Sequence, residues 1–76
     1  MPLYLVSYDL TKEKEFDYEN LWDYLRKENA VRVLFSEWLM ASDASASDLV
    51  DEIREHMHDQ DYLWVLEVTK DRLGFG

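Results

Sequence analysis

The side chains able to do chemistry are few, and most gather in two stretches of the chain. Asp9 closes an apolar segment and is followed by Lys12 and Lys14, while His56, His58, Asp59 and Asp61 crowd the approach to the last apolar segment. Carboxylates hold hard cations such as Mg²⁺ or Mn²⁺ through oxygen, and lysines meet phosphate charge. Asp9 and Asp61 as metal ligands beside these lysines are therefore the parts from which a site holding a divalent ion and meeting a phosphate could be built. Each part also has a plainer reading. Asp9 suits a turn or a cap, and Asp59 and Asp61 suit a solvated turn. The alternating Lys12-Glu13-Lys14-Glu15 is the pattern of a solvated loop. His56 and His58, two apart on a helix, point their rings in different directions and favour the negative helix C-terminus. No nucleophile constellation emerges. Ser7, Ser36, Ser42, Ser45 and Ser47 have only those two histidines as bases, and no Gly-rich strand-to-helix turn offers an oxyanion hole or a phosphate cradle.

Composition limits what can position these groups. A chain of 76 residues buries only about 60% of the surface it exposes when unfolded, so one domain, residues 1–76, with one core is the ceiling. With no cysteine there is no disulfide framework and no thiolate metal site, which suits a reducing cytoplasm. Apolar residues make up 47% of the chain, with three Trp, five Tyr and three Phe, enough to oppose disorder. No apolar run approaches the roughly 18 residues that span a bilayer, so no membrane role is expected. Seventeen Asp and Glu against eight Lys and Arg give a formal charge of −9, which opposes unspecific attachment to phosphate backbones.

Along the chain, residues 3–10 read as a largely buried strand with Tyr4, Val6 and Tyr8 on one face and Leu5, Ser7 and Asp9 on the other. After a polar loop, Asp17 can cap a helix carrying Tyr18, Leu21, Trp22 and Leu25 at helical spacing and ending near Asn29. Residues 31–41 form an apolar block, either one long strand or a bent hairpin, with Trp38 and Met40 sharing a face. Ser45, followed three residues later by Asp48, resembles a capping box and opens a second helix with the stripe Ala46, Leu49, Val50, Ile53 and Met57. Residues 62–68 are a strongly apolar strand, and residues 70–76 are a tail. Trp22, Trp38 and Trp64 read as core. Tyr8 has the chemistry to stack a nucleobase, but packing is its better reading because basic residues interleaved with aromatics are missing.

If the middle block is two strands, the order is βαββαβ. This is an α+β, ferredoxin-like plan with an antiparallel sheet and two helices on one face. The first strand then lies centrally, and its end brings Asp9 near Ser36 and Asp61, with His56, His58 and Asp59 at the same edge. The other sheet face stays open and presents an apolar patch, which a homodimer through that face or an edge strand would cover.

Three segments carry a family likeness: residues 4–10 ending in Tyr-Asp-Leu, residues 32–39 containing Ser36-Glu37-Trp38, and residues 59–68 with an acidic turn before an apolar strand. Together they resemble the CRISPR-associated protein 2 family, small ferredoxin-like subunits of the spacer-acquisition complex whose fold is shared by VapD-type ribonucleases. The likeness covers residues 3–69. It implies a homodimer, with Asp9 at the position implicated in Mg²⁺- or Mn²⁺-dependent phosphodiester cleavage of RNA or DNA, and a spacer integrase as protein partner. Ser36 and Trp38 match the Ser-x-aromatic pattern of the third strand. The chain departs from the family in having Leu34 where a polar residue is usual, fewer basic residues, and a short C-terminal segment. Two functions follow: a metal-dependent nuclease-like protein in which Asp9 from each of two protomers binds a divalent ion that activates water, or a non-catalytic dimeric module whose acidic surface steers it toward basic protein partners.

Overall fold

A computed structural model describes residues 1–12 and 14–68. Glu13 in the charged loop, Thr69 and the tail at 70–76 lie outside the described residues. The first strand, β1 (Leu3–Asp9), is the second strand from one edge of the sheet and pairs antiparallel on both sides. Its alternation assigns the two faces. Tyr4, Val6 and Tyr8 are buried, while Leu3, Leu5 and Ser7 are only half-buried and Asp9 is exposed.

Helix α1 (Glu19–Lys27) starts where the Asp17 carboxylate accepts the Glu19 N–H at 2.9 Å, and it buries Leu21 and Leu25. It ends by a left-handed cap. Asn29 takes φ 60° while the Ala30 N–H reaches the Leu25 carbonyl at 2.9 Å and the Asn29 N–H reaches Arg26 at 3.0 Å. Asparagine is among the few residues that enter this conformation at small cost, so the stop is written at Asn29.

The middle block is the bent hairpin, β2 (Val31–Leu34) and β3 (Glu37–Ala41), joined through Phe35 and Ser36. The register shifts between Arg32 and Leu34, so Val33 is an extra residue that bends the edge strand. Helix α2 (Ala46–Arg54) opens on Ser45, whose hydroxyl accepts the Asp48 N–H at 3.1 Å, and it buries Leu49 and Ile53. The last strand, β4 (Tyr62–Val68), completes a sheet of order β2-β3-β1-β4 in which every neighbouring pair is antiparallel.

One core results. Tyr4, Val6 and Tyr8 of β1 and Trp38 and Met40 of β3 pack in the same cluster as Leu21 and Leu25 of α1 and Leu49 and Ile53 of α2. The helices therefore cover one sheet face. Across the helix pair, the Tyr24 hydroxyl donates to Glu52 at 3.0 Å, and burial together with that carboxylate raises the phenol's pKa. Among the described residues, no helix is long and apolar enough to cross a membrane.

Trp64 departs from its expected place in the core. It pairs with Ser7 on the outward parity of β1, and it is 52% exposed. Both parities of β4 are apolar, with Leu63 and Val65 on one and Tyr62, Trp64 and Leu66 on the other. Hydrophobicity alone therefore could not assign its faces, and only pairing with β1 does so.

Candidate functional site: one sheet end and the open face

Asp61, immediately before β4, is a buried carboxylate whose oxygens are occupied by the protein's own donors. One oxygen accepts the Thr11 N–H at 2.8 Å, the Thr11 hydroxyl at 3.1 Å and the Tyr18 hydroxyl at 2.8 Å. The other accepts the His58 N–H at 2.9 Å and lies 2.7 Å from the same Tyr18 hydroxyl. Burial by itself would raise this carboxyl's pKa. The donors from Thr11, Tyr18 and His58 outweigh burial and hold it below the ordinary carboxylate value. Arg54 completes the knot from the other side, donating to the carbonyls of Asp61 at 2.7 Å and Asp59 at 3.0 Å. Three chain segments meet here: the loop after β1, the approach to α1, and the turn between α2 and β4.

The other candidate residues disperse around this knot. Asp9 is exposed at the end of β1, opposite Tyr62. The Ser36 carbonyl accepts the Tyr8 N–H at 3.1 Å, so Ser36 does lie beside the end of β1. The two histidines diverge. His56 lies against the Tyr24 ring with centroids 5.1 Å apart, whereas His58 meets Phe16 edge-on at 5.7 Å and accepts the Gln60 N–H on Nδ1 at 3.1 Å. Lys12 turns the chain through its carbonyl, which accepts the N–H groups of Glu15 and Phe16. A wide-mouthed cleft of about 430 Å³ is lined by Thr11, Asp59, Gln60, Asp61 and Tyr62. Among the described residues, no group of three or more His, Asp or Glu side chains is gathered so that it could hold a metal ion.

Mg²⁺ and Mn²⁺ need several free oxygen ligands. Asp61 would have to surrender hydrogen bonds that tie three segments together, and among the described residues the exposed Asp9 belongs to no group of three or more His, Asp or Glu side chains. The described residues of one chain therefore do not gather the ligands that a divalent-ion site needs.

A second polar centre escaped the sequence reading. The Tyr8 hydroxyl accepts the indole N–H of Trp38 at 2.9 Å, that of Trp22 at 3.1 Å and an Arg32 N–H at 3.5 Å. The Arg32 guanidinium in turn lies within 5.0 Å of the Phe35 and Trp38 ring centroids and 5.6 Å of Trp22, and it donates to the Phe35 carbonyl at 3.1 Å. Tyr8 is thus a core residue with a polar handle that satisfies two tryptophans, and this use accounts for its aromatic and hydroxyl parts together.

The sheet face away from the helices is apolar in register. Val31 pairs with Leu39, Leu39 with Leu5, and Leu5 with Leu66, so one row of aliphatic side chains crosses all four strands. Toward one end, Ala41, Leu3 and Val68 form the adjoining row. Toward the other end come Leu34, Glu37, Ser7 and Trp64, and beyond them Asp9 and Tyr62. The Tyr62 and Trp64 rings stack with centroids 6.2 Å apart and planes at 22°. Val31, Leu34, Tyr62, Trp64 and Leu66 are each more than half exposed, between 52% and 62%.

No family model matches the chain, and no solved structure matches it.

Proposed function

We propose that this chain is a non-catalytic homodimeric module on a ferredoxin-like plan, with the open sheet face as its contact surface. The carrying observation is the row Val31–Leu39–Leu5–Leu66, an aliphatic band across every strand that the helices leave uncovered. Contiguous apolar surface of this kind on a small domain marks an interaction site. The sheet of four antiparallel strands and two helices is compatible with the ferredoxin-like plan. The resemblance to CRISPR-associated protein 2 favours a dimer of that plan. The saturated hydrogen bonding of Asp61, and the lack of any group of three or more possible ligands among the described residues, favour a binding role over metal-dependent phosphodiester cleavage.

Sedimentation at micromolar concentration tests the reading. The wild type is expected to run as a dimer and Leu5→Glu as a monomer with unchanged far-ultraviolet circular dichroism. A monomeric wild type defeats the proposal, as does a dimer that Leu5→Glu leaves intact. Cleavage of RNA or DNA by the wild type with Mg²⁺ or Mn²⁺, abolished by Asp9→Ala, would restore the nuclease reading instead.

A further inference from the structure

We infer that two copies stack through the open face with their β1 strands antiparallel, the Trp64 end of one sheet lying over the Leu3 end of the other. The inference rests on the homodimer reading and deepens it by assigning the orientation. Two independent features of the face point the same way.

The first is size. At one end the face carries Ala41, Leu3 and Val68, and at the other it carries the stacked rings of Tyr62 and Trp64. Packed sheets keep a spacing of roughly 10 Å and interiors fill without voids, so bulky side chains must meet small ones. With β1 strands parallel, both aromatic pairs would crowd one end and prop the sheets apart over Ala41. Turning one copy end for end brings large over small at both ends, which makes the face self-complementary under a twofold axis perpendicular to the strands.

The second is charge. The acidic groups of the face, Glu37 and Asp9, sit at the aromatic end, and no Lys or Arg occupies a paired outward position to balance them. Parallel stacking would gather four carboxylates at one margin of a desolvated interface. Like charges crowded together where water is excluded repel more strongly than in solvent, because the surroundings screen them poorly. Antiparallel stacking separates them into two pairs at opposite margins, each open to solvent.

The arrangement has a chemical consequence. Asp9 lies four residues beyond Leu5, so with Leu5 near the axis the two Asp9 residues stand about 26 Å apart along the strand direction. Two carboxylates that far apart cannot share one metal ion, whose oxygen ligands lie within about 2.6 Å of it.

The chain has no cysteine, so Asp9→Cys carries a single nitroxide label per protomer without background. Antiparallel stacking predicts a pulsed dipolar distance of roughly 30 Å between labels. Dipolar broadening of the continuous-wave spectrum, which requires labels much closer together than this, overturns the orientation while leaving the dimer standing. Sedimentation of the labelled chain as a monomer overturns both the orientation and the dimer. Repeating the distance measurement with Trp64→Ala added to Asp9→Cys tests the size argument: the distribution, sharp in labelled Asp9→Cys with Trp64 intact, should broaden when the bulky end is truncated. No change on truncation removes that argument and counts against the orientation.

Discussion

The Tyr18 hydroxyl lies 2.8 and 2.7 Å from the two carboxylate oxygens of Asp61, across a sequence separation of 43 residues. This contact locks the start of α1 to the start of β4 in a buried setting. Both partners are nine-tenths or more buried, Tyr18 with 3% and Asp61 with 5% of its surface exposed. A hydrogen bond to a charged group of this kind contributes roughly 1.5–3 kcal/mol. Tyr18→Phe is therefore expected to lower the free energy of unfolding by about 2 kcal/mol in urea titrations at pH 7. Asp61→Asn is expected to cost at least as much, because an amide cannot accept from every donor that converges there.

The same carboxylate gives a pH dependence with a definite sign. Its folded pKa is depressed, so its stabilising contribution is present above the unfolded value of about 3.9 and is lost as pH falls through the lower folded value. Thermal melts are expected to show a steeper loss of stability below about pH 4 in the wild type than in Asp61→Asn, with the two curves converging in acid. Parallel curves down to pH 2 would contradict the assignment.

Tyr8→Phe tests the indole acceptor. The ring volume is kept, but the Trp38 N–H and the Trp22 N–H lose their common partner. An unsatisfied buried donor costs about 1–3 kcal/mol, so a destabilisation in that range is expected, accompanied by a shift in tryptophan fluorescence in the folded state. Arg32→Met, which keeps a long apolar stem but removes the cation over the rings of Trp22, Phe35 and Trp38, is expected to cost about 1 kcal/mol.

At the end of α1, Asn29 holds φ 60°. Asn29→Gly is expected to be neutral within about 0.5 kcal/mol, whereas Asn29→Val is expected to cost about 1–2 kcal/mol because a β-branched residue resists the left-handed region. Denaturant midpoints of the two variants measured side by side decide it.

Asp9→Ala is expected to leave folding stability within about 0.5 kcal/mol of wild type, since the residue is exposed and forms no part of the Asp61 knot. Differential scanning calorimetry of the variant checks this.

Much of the architecture was legible in the amino-acid order because the relevant signals are local. Ser45 three residues before Asp48, Asn29 after the apolar stripe of α1, and the run 62–68 each state an element boundary through capping chemistry or strand length, and the structure places α2, the end of α1 and β4 there. The parity of β1 separated Tyr4, Val6 and Tyr8 from Leu5, Ser7 and Asp9, because strand side chains alternate whatever the partner.

What only the tertiary structure decided depends on residues far apart in sequence. Which parity of β1 faces the helices, and hence that Leu3 and Leu5 are left on the open face, follows from packing against α1 and α2. The fate of Trp64 follows from pairing with Ser7, since both faces of its strand are apolar. Asp61 reads in sequence as a turn residue or a ligand, and becomes a buried fastening because Thr11 and Tyr18 are brought to it from the other half of the chain. Local periodicity specifies elements and their amphipathic parity. The burial of a charge and the exposure of a tryptophan are set by register and docking, which no short window of sequence contains.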